Sequence, residues 1–160
     1  MTACSGERIA DWERIIWTAV GGVLAVGLPD EVRVVVGSHA GVGIVDVTKA
    51  DRAIRLHDND YRWFDEERMA ILIPDGRGGQ EVVAAMGLAG GQLPTSTHDG
   101  WRCERTDLGA TLVREDQLLK IADQEEFRAC GFSPRGSVFI LATSPNLTVL
   151  KRDLALEQKL

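Results

Sequence analysis

Histidine, acids and aromatics crowd one stretch of this chain, His57-Asp58-Asn59-Asp60-Tyr61-Arg62-Trp63-Phe64-Asp65-Glu66-Glu67. Carboxylate and amide oxygens at alternating positions are the donors that hard cations such as Ca²⁺ take, but an EF-hand loop needs a glycine at its sharp turn. This stretch has none. It reads first as a solvated loop whose aromatics anchor it to the core, and second as a protein-binding loop, since interfaces enrich aromatic side chains. Metal ligation comes third, and neither a metal nor a cofactor is assigned. The candidate binding residues are His57, Asp58, Asp60, Tyr61, Trp63 and Phe64, joined by His98 from the loop 87–99.

Hydrolysis is the alternative chemistry. His39, His57 and His98 sit in separate turns, with Asp46, Asp58 and Asp99 as nearby acids. A nucleophile–histidine–acid set is defined by geometry, not chain order. The nearest approach to a nucleophile elbow, Gly37-Ser38-His39-Ala40-Gly41, has the wrong spacing. A small hydrolase would require His57 or His98 to converge with Asp58, Asp60 or Asp99 in one concave pocket. No catalytic residue is assigned. Gly76-Arg77-Gly78-Gly79 lacks the Lys-Ser/Thr that follows a phosphate loop and reads as a hairpin connection. Cys4, Cys103 and Cys130 are odd in number and lack CxxC spacing, so they outline neither a disulfide framework nor a zinc site. Cys103 and Cys130 fall in expected strands and read as packing residues of a reducing cytosol.

The elements that must position these residues are short. The chain has 160 residues, 44% hydrophobic and 26% charged, which suits a single globular domain over 1–160. A net charge of −6 and scattered arginines argue against nucleic acid as a partner, because that affinity rests on clustered Lys and Arg. The longest apolar run, Val20 to Leu28, is nine residues with three glycines, too short to span a bilayer. Glu7, Asp11 and Glu13 are foreign to a secretory signal, so a cytoplasmic location is expected.

Ile9, Trp12, Ile16 and Ala19 form one apolar stripe at helical spacing, which predicts a short N-terminal α-helix over 7–19; a strand over Ile15–Val20 competes with it. Beyond Gly22 the pattern is mainly β. Twelve strands are predicted, near 22–28, 32–37, 42–47, 53–57, 69–73, 80–86, 100–105, 110–114, 117–122, 126–132, 137–143 and 146–152. Turn signals such as Pro29-Asp30 and Pro134-Arg135-Gly136 separate them at short intervals, the rhythm of antiparallel meandering hairpins. Val34-Val35-Val36 and Phe139-Ile140-Leu141 are continuously apolar, as in strands buried on both faces. Segment 87–99 has loop composition, suited to a connector or a binding loop.

One unit occurs twice. Pro29-Asp30, Val34-Val35-Val36-Gly37-Ser38 and Val42-Gly43-Ile44-Val45 align without a gap on Pro134-Arg135, Phe139-Ile140-Leu141-Ala142-Thr143 and Leu147-Thr148-Val149-Leu150 at an offset of 105, while Leu28 and Phe132 align only if one residue is skipped. The second copy, from Phe132-Ser133-Pro134-Arg135-Gly136 through Ile140-Leu141-Ala142-Thr143 to Leu147-Thr148-Val149-Leu150, resembles the central part of a WD40-type β-propeller blade. Arg135 stands where that repeat usually has Asp, and no Trp-Asp pair closes either unit. The resemblance implies blade-like units near 22–57 and 126–152 on a propeller-like or sandwich-like scaffold. At four strands per blade, twelve strands make three blades at most, so an exposed sheet edge needs a cover. The N-terminal helix is the expected cover, and the assembly a monomer or a homodimer. The implied function is non-enzymatic: a module that presents loops to a protein partner.

Overall fold

The computed structural model describes residues 8–9, 11–49, 54–55, 62–87 and 91–154. These residues form strands and turns, with no helix among them. Along the chain the strands are β1 (Arg8–Ile9), β2 (Trp12–Ala19), β3 (Val23–Gly27), β4 (Arg33–Ser38), β5 (Gly41–Asp46) and β6 (Ile54–Arg55). Then follow β7 (Phe64–Asp65), β8 (Ala70–Pro74), β9 (Gln80–Ala84), β10 (Met86–Gly87) and β11 (Arg102–Thr106). The last are β12 (Gly109–Arg114), β13 (Gln117–Ala122), β14 (Phe127–Phe132), β15 (Val138–Thr143) and β16 (Asn146–Lys151).

Four antiparallel sheets result. Sheet 1 has the order β10-β3-β4-β5-β6, sheet 2 is β7-β8-β9, sheet 3 is β11-β12-β13, and sheet 4 is β1-β2-β16-β15-β14. Side chains fix how they stack. Along β15, Val138, Ile140 and Ala142 pack with Val34, Val36 and Val45 of sheet 1, while Phe139 and Leu141 pack with Leu112 and Ile121 of sheet 3. Along β4, Val34 and Val36 face sheet 4, and Val35 packs with Ile71, Ile73 and Val83 of sheet 2. The stacking order is therefore 2-1-4-3. Period-two alternation gives each inner strand two buried faces, which is why its sequence is apolar without a break. The outer layers alternate instead: in β13 only Leu119 and Ile121 are buried.

The repeat is also a repeat of hydrogen-bond register. Arg33↔Asp46, Val34↔Val45 and Val35↔Ile44 recur 105 positions on as Val138↔Lys151, Phe139↔Leu150 and Ile140↔Val149. Val26↔Val36 recurs as Cys130↔Leu141, so β3 matches β14 one residue short of that offset. Both copies carry a register shift at the same place, between Val23 and Ala25 and between Phe127 and Ala129. The one-residue skip in the sequence alignment is thus a real feature of the backbone.

One expectation needs correction. Trp12–Ala19 is a strand, not a helix; it pairs with β16 and covers the edge of sheet 4 by hydrogen bonding. Its helix-like spacing comes from a bulge. Val149 opposes Ile16 and Leu150 opposes Arg14, so Ile15 is the extra residue and the alternation of faces resets there. Trp12 then faces sheet 3, while Ile15 and Ile16 pack on the side of sheet 1. The described strands number sixteen, with β1, β2 and β7 beyond the twelve predicted, and they pair as four sheets. Residues 91–99 run from sheet 1 to sheet 3 as a packed connector. Leu93 is buried between sheets 1 and 4, Pro94 accepts a hydrogen bond from the Phe132 amide, and Thr95 accepts one from the Cys103 amide.

Candidate functional site

Of the predicted binding loop, His57, Asp58, Asp60 and Tyr61 lie outside the described residues. Trp63 is 2% exposed and belongs to the core between sheets 1 and 2. Its six-membered ring lies over Gly37, where a Cβ would come within 2.2 Å of the ring. Only glycine lets the ring approach the backbone of β4 that closely. Phe64 is half-buried against the same cluster, edge-on to Trp63 at 5.8 Å between centroids. These aromatics therefore anchor the loop. The surface that remains is Glu66, Glu67, Arg68 and Met69, all exposed, on a turn that Asp65 fixes by accepting the Arg68 amide at 3.1 Å.

His98 is exposed, and the acid beside it is engaged elsewhere. Asp99 receives both terminal nitrogens of Arg152, one at 2.7 Å, together with Nη1 of Arg114 at 3.0 Å and the Thr97 hydroxyl at 2.6 Å. The Arg152 side chain is 1% exposed and donates from Nε to the Gly136 carbonyl at 2.8 Å. Each guanidinium also covers an indole, Arg152 over Trp12 at 5.0 Å and Arg114 over Trp101 at 4.6 Å. Arg114 is further paired with Asp11. The clasp joins the connector 91–100, sheet 3 and sheet 4 at one corner. A carboxylate that neutralises a buried arginine is committed to charge pairing, so Asp99 has no free role as the orienting acid of a His98 base.

A second acidic corner joins the two repeat copies. Glu31 accepts hydrogen bonds from the Ser133 and Ser137 hydroxyls, from the Arg135 amide at 2.5 Å and from the Ser137 amide at 3.3 Å. Burial, the largest single influence, pushes its carboxyl up. The four donors together outweigh that and hold it below the ordinary glutamate range. The turn it caps needs Gly136 at φ +78°, and the Gly136 amide closes it onto the Ser133 carbonyl at 2.9 Å. Next to Glu31, Arg33 bridges Asp30 and Glu81, with Glu81 bound through both oxygens at 2.7 and 2.8 Å. The hydrogen bond from Arg33 is the main reason the Glu81 carboxyl lies below its usual range, and the Glu81 hydrogen bond in turn raises Arg33.

Neither corner was named from sequence. The Glu31 clasp has one sequence trace: at the repeat's offset of 105 the turn of the first copy carries Asp30 and Glu31 and that of the second carries Arg135 and Gly136. The Asp99 clasp leaves no trace in the sequence beyond Arg152 itself, one of three charged residues, Lys151-Arg152-Asp153, that follow Leu150. Cys103 and Cys130 lie on facing strands of sheets 3 and 4, half-buried, with their sulfurs 4.0 Å apart. Among the described residues no group of three or more His, Cys, Asp or Glu side chains could hold a metal ion. Among them, too, no helix is long and apolar enough to cross a membrane. Comparison of the chain with protein-family models, with curated proteins and with solved structures finds no match.

Proposed function

We propose that this chain is a non-enzymatic protein-interaction module of the cytoplasm, in which blade-like, WD40-like units hold loops rigid for a protein partner. The observation that carries this reading is the anchoring of the charged turn 65–69. Buried Trp63 and half-buried Phe64 fasten it to the scaffold, and four consecutive side chains, Glu66 to Met69, are left exposed. A rigid turn loses little conformational entropy on binding, which favours affinity at a small contact surface. The second contact segment is the outer side of the connector, Gln92, Ser96 and His98, all exposed and carried on backbone that is bonded to β11 and β14.

Co-purification from the native host with three baits tests the proposal. These are the wild type, Glu66→Ala/Glu67→Ala/Arg68→Ala, and Gln92→Ala/His98→Ala. The wild type should retain one stoichiometric protein that the first variant loses and the second weakens. Exposed substitutions of this kind stay within about 0.5 kcal/mol, so thermal midpoints should agree within about 2 °C. Equal capture by all three baits, or no stoichiometric protein on the wild type, would overturn the proposal.

A further inference from the structure

We infer that Cys103 and Cys130 form a peroxide-reactive dithiol that closes into a disulfide between sheet 3 and sheet 4. Cys103 lies on β11 and Cys130 on β14, strands that belong to different sheets and share no ladder. The two chains are nevertheless held side by side, because the connector bonds to both: Thr95 takes the Cys103 amide and Pro94 the Phe132 amide, each at 2.8 Å. The sulfurs are 4.0 Å apart and point at each other, one thiol serving as hydrogen-bond donor to the other. Closing to bonding distance requires about 2 Å of sulfur movement, within reach of side-chain rotation.

Access is the second requirement, and the pair meets it. Both thiols line an open cavity of about 360 Å³, together with Leu93, Phe127 and Arg105. The Arg105 guanidinium is parked 3.9 Å over the Phe127 ring, beside the thiols. The hydrogen bond between the thiols lowers Cys130 below an ordinary thiol, with Arg105 adding to it, while the same bond and burial raise Cys103. Cys130 is therefore the attacking sulfur and Cys103 the resolving one, the arrangement of redox-sensing pairs.

The reaction balances with a hydroperoxide as the oxidant. The Cys130 thiolate attacks the distal peroxide oxygen, the O–O bond breaks, and the departing alkoxide or hydroxide takes up a proton from solvent. The product is a Cys130 sulfenic acid. Cys103 sulfur then attacks Cys130 sulfur, the S–O bond breaks, and the Cys103 proton leaves with the hydroxyl group as water. Two thiols and one peroxide become one disulfide, one alcohol or water, and one further water.

The test uses the full chain with Cys4→Ser, so that two thiols remain, exposed to one equivalent of hydrogen peroxide. Thiol titration should fall from two to none, the intact mass should drop by about 2 Da, and a reductant should restore both. Peptide mapping should place the link between Cys103 and Cys130. In Cys4→Ser/Cys103→Ser, a sulfenic-acid probe should label Cys130. In Cys4→Ser/Cys130→Ser, Cys103 should react far more slowly. Persistence of both thiols, an intermolecular link, or faster labelling of Cys103 than of Cys130 would overturn the inference.

Discussion

The two copies of the repeated unit, β3–β5 and β14–β16, share a backbone and differ in their neighbours. Their registers agree pair for pair, and the same terminal bond recurs, Val47 amide to Val32 carbonyl and Arg152 amide to Ser137 carbonyl. Their side chains diverge where the copies meet different partners. Gly37 lies under Trp63 of sheet 2, whereas its counterpart Ala142 lies in the interface between sheets 4 and 1. Val47 ends the first copy as an apolar core residue, while Arg152 ends the second as a buried cation reaching Asp99. Asp30 and Glu31 occupy the turn of one copy, Arg135 and Gly136 that of the other. Backbone pairing is thus carried by the shared apolar pattern, and each departure from it is explained by the layer packed next to it.

That contrast can be broken at graded cost. Trp63→Ala should have the largest effect, about 4 kcal/mol by urea denaturation, since it empties the contact between sheets 1 and 2. A loss below about 1 kcal/mol would mean the ring is replaceable by solvent. Asp99→Ala should follow at about 3 kcal/mol, because it strands Arg152 among apolar groups; adding Arg152→Val, the residue type of the first copy, should recover much of that loss. Swapping small residues between the copies sharpens the comparison. Gly37→Ala should cost about 2 kcal/mol by forcing the Trp63 ring away, and Ala142→Gly about 1 kcal/mol through backbone entropy alone. Equal costs would show that the neighbouring layer is irrelevant.

Glu31→Gln should fall between those two swaps at neutral pH, at about 1.5 kcal/mol, since it weakens hydrogen bonds to a charged acceptor without removing the side chain. Its pH dependence has a definite sign. The folded carboxyl is depressed, so its contribution is complete above the unfolded glutamate value and is lost as pH falls through that value toward the folded one. The stability gap between wild type and Glu31→Gln should therefore narrow as pH is lowered below about 4.5. A constant gap would assign the effect to packing.

What could be read in advance follows the same division. Period and repetition are local, so all twelve predicted strands overlap observed ones, and the one-residue skip after Leu28 reappears as the one-residue difference in offset between β3/β14 and the later strands. The helix prediction failed because Ile9, Trp12, Ile16 and Ala19 carry the spacing of a helical stripe, whereas the bulge at Ile15 puts Trp12 and Ile16 on opposite sides of a strand, and a bulge is decided by the partner strand. The clasps on Glu31 and Asp99 depend on residues separated by 102 or more positions and by 15 to 53 positions respectively, so no short pattern announces them. Trp63 reads from sequence first as a loop anchor and second as an interface residue; its seat against Gly37, on another sheet, is what no local pattern shows.

The pairing of β2 with β16 also sets a clock. Ala19 meets Asn146 only after the intervening chain has been synthesised, which at 5–20 residues per second takes on the order of ten seconds. Throughout that interval the β16 partner of β2 is unmade. Sheet 4, the inner layer that receives it, can be completed only when β16 has emerged, and sheets 1 and 3 both pack against that layer. Completion of the inner layer therefore waits on the last of the described strands.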